Sequence, residues 1–106
     1  MFNRMSTPNL TIYLRSKFWC GEFEPKTVQK IAPDAKKVIY YICSWHFHEL
    51  PKKEEFAREG IECEIVDLPH FDTDLLVNRI QERTYEVPTI AIVQEILPFQ
   101  RQAWNV

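Results

Sequence analysis

The stretch KVIYYICSWHFHEL, residues 37–50, decides how this chain folds. It opens with VIYYI at residues 38–42, an unbroken apolar run that is typical of a strand buried on both faces of a parallel sheet. We expect this strand to span residues 37–43 and then to pass into a turn at Ser44 and Trp45. A strand of this kind predicts an α/β protein with a central sheet flanked by helices.

Further strands and helices are predicted to alternate around this strand. Runs rich in β-branched residues indicate strands at residues 10–15, 61–68 and 89–93. Residues 96–100 are a candidate fifth strand that would form a hairpin with the strand before it, and Pro98 would suit an edge position. Alternating strands and helices followed by a terminal hairpin predict a mixed central sheet.

The predicted helices have recognisable ends in the sequence. The first begins at Pro25, which suits a first helical turn, and it ends at Pro33. The middle helix ends at Gly60, and the last is capped by Asp72 or Thr73. The apolar stripes are Val28, Ile31 and Ala32 on the first helix, and Leu75, Leu76, Ile80 and Tyr85 on the last.

The start of the middle helix has two alternatives. Ser44 would cap a helix that is then kinked by Pro51 in its interior. Alternatively, Pro51 lies in the first turn and residues 44–50 form an extended turn. In both cases we expect Phe56 and Ala57 to lie on the buried face of the helix.

Composition and charge are those of an ordinary globular domain. The chain has 106 residues, 45% hydrophobic and 26% charged, which predicts a single domain at 10–106. The polar start that ends in Pro8-Asn9 predicts a flexible tail at 1–9. A net charge of −2 provides no electrostatic footprint for nucleic acid. The chain has no run of about 18 apolar residues and no secretory h-region, so we expect no membrane partner. The three cysteines have neither Cys-x-x-Cys nor metal-ligand spacing, which favours a cytoplasmic location.

Two motifs in this order of elements resemble the thioredoxin superfamily, and glutaredoxins share the part from the VIYYI strand onward. VIYYICSW at residues 38–45 is similar to the strand that delivers the redox motif of the family. Val87-Pro88-Thr89 is similar to the family's Val/Ile-Pro-Thr tripeptide. The resemblance implies a thioredoxin-like fold with a cis bond between Val87 and Pro88. The C-terminal helix is expected to be absent or reduced to residues 101–106, which would leave one sheet face less covered.

The thiols that carry redox chemistry in this superfamily have no counterpart at the matching positions. The family places Trp-Cys-x-x-Cys after this strand, whereas this chain has Trp45-His46-Phe47-His48-Glu49, with His46 and Glu49 at the two cysteine positions. Dithiol chemistry needs an attacking thiolate and a resolving thiol, and neither imidazole nor carboxylate forms a disulfide. We therefore expect a redox-inactive protein with no catalytic residue.

The resemblance implies instead that the former active-site corner binds another protein. In family members this corner holds an extended peptide by main-chain hydrogen bonds beside the proline, which implies strand-like peptide capture. Exposed aromatic side chains are frequent anchors of such interfaces. The expected binding residues are Trp45, His46, Phe47, His48, Glu49, Val87, Pro88 and Thr89. An alternative surface is the less covered sheet face near Ile96, Phe99 and Trp104.

Cys43 offers an alternative function, because it lies three residues before His46 at the end of the predicted strand. It would make the protein a monothiol thiol-disulfide oxidoreductase or a glutathione-binding, glutaredoxin-like protein with glutathione as its cofactor. The simpler interpretation is a buried apolar cysteine, which is also our expectation for Cys63. Cys20 belongs to a Trp-Cys-Gly motif that follows the first strand, where the family has no active site, and we treat that motif as coincidental.

A metal site is the weakest of the alternatives. His46, His48 and Glu49 carry imidazole and carboxylate groups of the kind that bind zinc, and His70 could approach them. On a helix the two histidines would not share a face, and no other Cys/His cluster completes a four-ligand set. We therefore expect no metal, and an acidic side chain such as Glu49 would instead favour the positive end of a helix dipole.

Overall fold

Strands and helices alternate along the residues that the structure describes, which are 9–15, 23–42, 50–67 and 73–94 of the computed structural model. In chain order the elements are β1 (Leu10–Arg15), α1 (Pro25–Ile31), β2 (Lys37–Ile42), α2 (Lys53–Arg58), β3 (Glu62–Asp67), α3 (Thr73–Gln81) and β4 (Thr89–Gln94). The four strands form one sheet in the order β1-β4-β2-β3. The prediction of an α/β protein with a central sheet is confirmed.

The core lies on both faces of this sheet. On β2, Ile39 and Tyr41 pack in one buried cluster with Leu76 and Ile80 of α3. The alternate residues of β2 pack in the second cluster with residues of α1 and α2: Val38, Tyr40 and Ile42 against Val28 and Phe56. Helices therefore cover both faces, and the prediction that VIYYI is a doubly buried central strand is confirmed, since β2 pairs with both β3 and β4.

Every pair among the described strands is parallel, whereas the sequence predicted a mixed sheet that includes a terminal hairpin. The reason is that a helix separates each strand from the next and carries the chain back to the same edge before the next strand begins. α3 does this between β3 and β4, so β4 runs in the same direction as β2. The candidate hairpin strand at residues 96–100 and the reduced helix at 101–106 lie outside the described residues, as does the tail up to residue 8.

The cis bond expected between Val87 and Pro88 is also wrong, because that peptide bond is trans. Pro88 enters the sheet between two parallel strands rather than through a tight turn, so nothing in its surroundings opposes the default trans geometry. Its carbonyl accepts hydrogen bonds from the N–H groups of Lys36 (2.7 Å) and Lys37 (3.3 Å). These bonds hold the trans segment against the start of β2.

The middle helix begins later than either sequence alternative predicts. α2 starts at Lys53, and residues 50–52 ahead of it are not helical. Pro51 therefore lies outside the helix, buried just before it, and neither kinks it nor opens its first turn. Its ring fixes the extended approach that the N-cap residue Lys52 continues.

The end of α2 follows the prediction closely. Gly60 adopts a left-handed conformation with φ of 75°, and the N–H groups of Gly60 and Ile61 bond to the carbonyls of Ala57 (3.0 Å) and Phe56 (2.9 Å). This is the Schellman arrangement, and it brings Ile61 into the same buried cluster as Phe56. Ala57 was expected to be buried but is exposed, because the next residue of a short helix points about 100° away from Phe56.

Candidate binding site at the amino-terminal edge of the sheet

The Val87-Pro88-Thr89 segment lies where β4 enters the sheet. Thr89 is in register with Leu10 and Lys37, the first residues of β1 and β2. In a parallel sheet the first residues of neighbouring strands share one edge. This part of the predicted site therefore lies at the amino-terminal edge of the sheet.

The other part of the predicted site follows β2 in the sequence, and β2 ends at the opposite edge. Ile42, the last described residue before it, is five residues beyond Lys37 in β2, which corresponds to about 16 Å along a strand. Five predicted residues lie outside the described part of the chain: Trp45, His46, Phe47, His48 and Glu49. Cys20, Cys43 and His70 also lie outside it. The structure therefore describes only the Val87-Pro88-Thr89 half of the predicted corner.

A cleft of about 420 Å³ opens beside the segment at the amino-terminal edge. We call it the Pro88 cleft. The strand side is formed by Asn9, Leu10, Thr11, Pro88 and Thr89, and the other side by the end of α1 and the turn after it, Ile31, Ala32, Pro33, Asp34 and Ala35. Val87, the neighbour of Pro88 in the chain, is one of two large apolar side chains that are strongly exposed in the described residues, at 42%.

Asn9 forms hydrogen bonds that join the residue before β1 to the segment before β4. It has a left-handed backbone with φ of 67°, which asparagine tolerates better than most residues. Its carbonyl accepts the N–H of Thr89 at 2.7 Å, and its Nδ2 donates to the carbonyl of Tyr85 at 3.0 Å. This role of Asn9 was not predicted from the sequence, although an asparagine directly before a strand is the kind of residue that could indicate it.

The main-chain groups around Pro88 are already engaged within the protein. Proline has no N–H, its carbonyl accepts the two bonds from Lys36 and Lys37, and the N–H of Thr89 bonds to Asn9. The carbonyl of Val87 accepts the hydroxyl of Thr89 at 2.7 Å. The strand-like capture implied by the thioredoxin resemblance needs such groups to be available, so the arrangement favours a partner's side chain in the cleft over an added strand.

An ion network fixes the segment that leads to Pro88. Arg83 donates from Nη1 and Nη2 to the two carboxylate oxygens of Glu64 on β3, at 2.8 Å and 3.0 Å. Lys37 contributes a second cation, with Nζ 3.1 Å from Glu64 and 3.3 Å from Glu62. The hydrogen bonds from Arg83, and then those from Lys37, hold the pKa of Glu64 at about 2, well below its usual range.

Tyr85 links the segment at residues 83–88 to the buried core. Its hydroxyl donates to the carbonyl of Ile80 at 2.9 Å and lies 3.4 Å from the hydroxyl of Tyr41. Burial, followed by the contact with Tyr41, raises the pKa of Tyr85. The guanidinium of Arg83 lies 6.0 Å from the centre of the Tyr85 ring. These residues hold the segment at residues 83–88 in one position at the edge of the sheet.

Cys63 is the free cysteine that the structure describes, and it is buried in β3. Burial raises the pKa of its thiol to about 11, with Lys53 opposing and Glu64 adding to the effect. Little thiolate is present at neutral pH under these conditions, and the thiolate is the reactive form. The environment of Cys63 thus agrees with the expectation of an inert core residue.

Comparison of the chain with protein-family models, with curated proteins and with solved structures finds no match. Among the described residues, no group of three or more His, Cys, Asp or Glu side chains is arranged to hold a metal ion. No helix in the described part of the chain is both long enough and apolar enough to cross a bilayer. The function of the site is therefore inferred from its geometry.

Proposed function

We propose that this domain binds another protein and performs no dithiol redox chemistry. The observation that carries the proposal is the Pro88 cleft, open beside the exposed Val87 at a rigidly held edge of the sheet. Rigid surroundings lower the ordering cost of binding, and an exposed apolar side chain beside a cleft is a suitable contact for a partner. The absence of thiols at the positions of His46 and Glu49 supports the second half of the proposal.

A relationship to the thioredoxin superfamily is part of this proposal. The strand order along the chain, the central burial of VIYYI and the position of Pro88 at the start of a sheet strand support it. The parallel direction of β4 and the trans bond before Pro88 count against a close relationship. We therefore base the binding function on the cleft rather than on the resemblance.

The segment at residues 45–49 is a second candidate surface in the same proposal. Trp45 and Phe47 are the residue types that carry most energy at interfaces, and their neighbours His46, His48 and Glu49 supply polar groups around them. β2 leads to this segment from the carboxyl edge of the sheet, so the proposal treats it as separate from the Pro88 cleft. A monothiol or glutathione-binding activity would depend on Cys43, since Cys63 is buried with a raised pKa.

A matched pair of variants tests whether the cleft is the binding surface. Val87 and Leu50 are exposed to similar extents, at 42% and 39%, and each can be replaced by Asp without burying a charge. Wild type, Val87→Asp and Leu50→Asp would each be immobilised in equal amounts, and proteins captured from a lysate of the source cells would be compared by quantitative mass spectrometry. Circular dichroism would establish that all three are folded.

We expect a defined set of proteins that wild type and Leu50→Asp retain and that Val87→Asp loses. A buried apolar contact at an interface is worth about 1–2 kcal/mol or more, so the loss should be at least about fivefold. Equal capture by all three forms would contradict the assignment of the function to the Pro88 cleft. Equal loss in both variants would contradict the assignment of binding to the cleft alone, because Leu50 directly follows the second candidate surface at residues 45–49.

A further inference from the structure

The side chains that line the Pro88 cleft carry one ionised group, the carboxylate of Asp34. Asp34 is exposed, and within the described residues no Lys, Arg or His side chain forms a salt bridge with it. The other polar side chains in the lining, Asn9, Thr11 and Thr89, are neutral. The cleft thus presents a negative charge that is not compensated within its own walls.

The end of α1 adds partial negative charge to the same wall, and Lys30 in its last turn, which does not line the cleft, offsets part of that charge. The N–H of Ala32 bonds to the carbonyl of Val28 at 2.9 Å, but Pro33 has no N–H to continue the pattern. The N–H of Ala35 donates to the carbonyl of Ala32 at 3.1 Å, and not to a carbonyl within the helix. Within the described residues the carbonyls at positions 29–31 therefore receive no backbone donor, and such groups at a helix C-terminus favour a cation.

A second cleft, of about 490 Å³ between α1 and α2, provides a comparison. Both signs of charge occur in its lining, which consists of Glu24, Pro25, Lys26, Gln29, Glu55, Arg58 and Glu59. Neighbouring charges of opposite sign neutralise one another's field, so this cleft has less preference for a charged group. The Pro88 cleft differs because its lining holds a carboxylate and no cation.

We propose that the Pro88 cleft takes the side chain of a lysine or arginine from the partner protein. This inference rests on the proposed function and names the chemistry that the site recognises. The cationic head would pair with the Asp34 carboxylate. The partial negative charge at the α1 C-terminus would also stabilise it. Its aliphatic stem would contact the apolar walls formed by Leu10, Pro33 and Pro88. A cleft of about 420 Å³ has room for one long side chain.

Amide NMR of the isotopically labelled protein tests this without knowledge of the partner. The probes are N-acetyl-arginine amide and N-acetyl-lysine amide, and the neutral control is N-acetyl-norleucine amide, which has a similar stem and no charge. We expect saturable shifts at the amides of Asn9, Ala35 and Thr89 with the cationic probes, with a dissociation constant in the millimolar range because one side chain makes few contacts.

Two charge-neutralising variants separate the cleft from the general acidity of the surface. Asp34→Asn should weaken binding of the cationic probes by up to about fivefold, which is the upper end for one exposed ion pair. Glu55→Gln removes the same formal charge from the second cleft and should leave the affinity unchanged. Added salt should weaken binding to wild type more than binding to Asp34→Asn.

The outcomes distinguish this inference from the function on which it rests. Equal shifts with norleucine amide, or equal affinity of wild type and Asp34→Asn for arginine amide, would overturn the assignment of a cation. If the cationic probes do not bind while Val87→Asp still loses its captured proteins, the proposed binding function is supported and the assignment of a cation to the cleft is wrong. If Val87→Asp retains every captured protein and the probes also fail, both are wrong.

Discussion

Replacing Glu64 with Gln removes the central charge of the network that holds residues 83–88 on the sheet. Gln retains the shape of the side chain and one oxygen that can still accept a hydrogen bond from Arg83. The variant therefore removes the charge without opening a cavity. We expect a folded but less stable protein at neutral pH.

The expected loss follows from the pKa of Glu64 and its exposure. A carboxyl whose pKa falls from 4.5 to about 2 on folding would contribute about 3 kcal/mol of stability if no solvent screened it. Because 35% of the Glu64 side chain is exposed, screening reduces this contribution, and we expect about 1–2 kcal/mol. For a domain of this size, that corresponds to a melting temperature lower by roughly 4–8 °C.

The pH dependence has a definite sign. The pKa of Glu64 is lower in the folded state than in the unfolded state, so the unfolded state binds more protons below the ordinary value of 4.5. The contribution of Glu64 is therefore fully present above about pH 5, and it is lost as the pH falls towards 2. Urea unfolding of wild type and Glu64→Gln across this range should give free energies of unfolding that converge at low pH.

Glu62→Gln provides the matched control in the same strand. The Glu62 side chain is 71% exposed and contacts only Lys37 in the network, at 3.3 Å. Its replacement should change the free energy of unfolding by less than about 0.5 kcal/mol. Equal stability of wild type and Glu64→Gln at pH 7, or a difference between them that stays constant from pH 5 to pH 2, would refute the reasoning.

Four further predictions concern redox activity, the reactivity of Cys63, the aromatic segment and the turn after α2. The protein should show no appreciable insulin reduction or glutathione-dependent oxidoreductase activity, and activity that Cys43→Ser abolishes would favour the enzyme instead. Cys63 should resist alkylation in the native protein at pH 7 because its thiol is buried with a raised pKa, so rapid mapped modification would contradict the structure. Trp45→Ala or Phe47→Ala should weaken the partner complex about thirtyfold while circular dichroism shows a folded domain. Loss of the fold would place the substituted residue in the core. Unchanged binding by folded variants would exclude this segment from the interface. Gly60→Ala should cost about 1–2 kcal/mol in urea unfolding through its left-handed backbone alone, because nothing lies within 4 Å of the added Cβ, and an unchanged midpoint would contradict this conformation.

Features with local causes could be predicted from the sequence. The burial of β2 follows from an apolar run with no polar alternation, and the ends of α1 follow from the geometry of Pro25 and Pro33. The end of α2 follows from Gly60, since few other residues adopt its backbone conformation without cost. Each of these signals acts within a few residues of the structure that it determines.

The direction of β4 and the ion network could not be predicted in this way. TIAIV has the same pattern in a parallel and an antiparallel sheet, so its direction does not follow from the sequence. The pairing of Arg83 with Glu64 joins residues 19 positions apart, and it depends on where α3 returns the chain to the sheet. The hydrogen bond from Asn9 to Tyr85 joins residues 76 positions apart, and it depends on β1 lying beside β4. Such contacts follow from topology, which short motifs do not encode.

The direction of one strand also determines which residues can act together. With β4 antiparallel to β2, Pro88 would lie beside the end of β2. With β4 parallel, the register of Thr89 with Lys37 places Pro88 at the other edge, beside the end of α1. The neighbours of Pro88 then become Asn9 and Asp34, an amide that fixes the loop and a carboxylate that gives the cleft its charge. The parallel topology thus underlies the proposal of a site that binds a partner's side chain, with a preference set by charge.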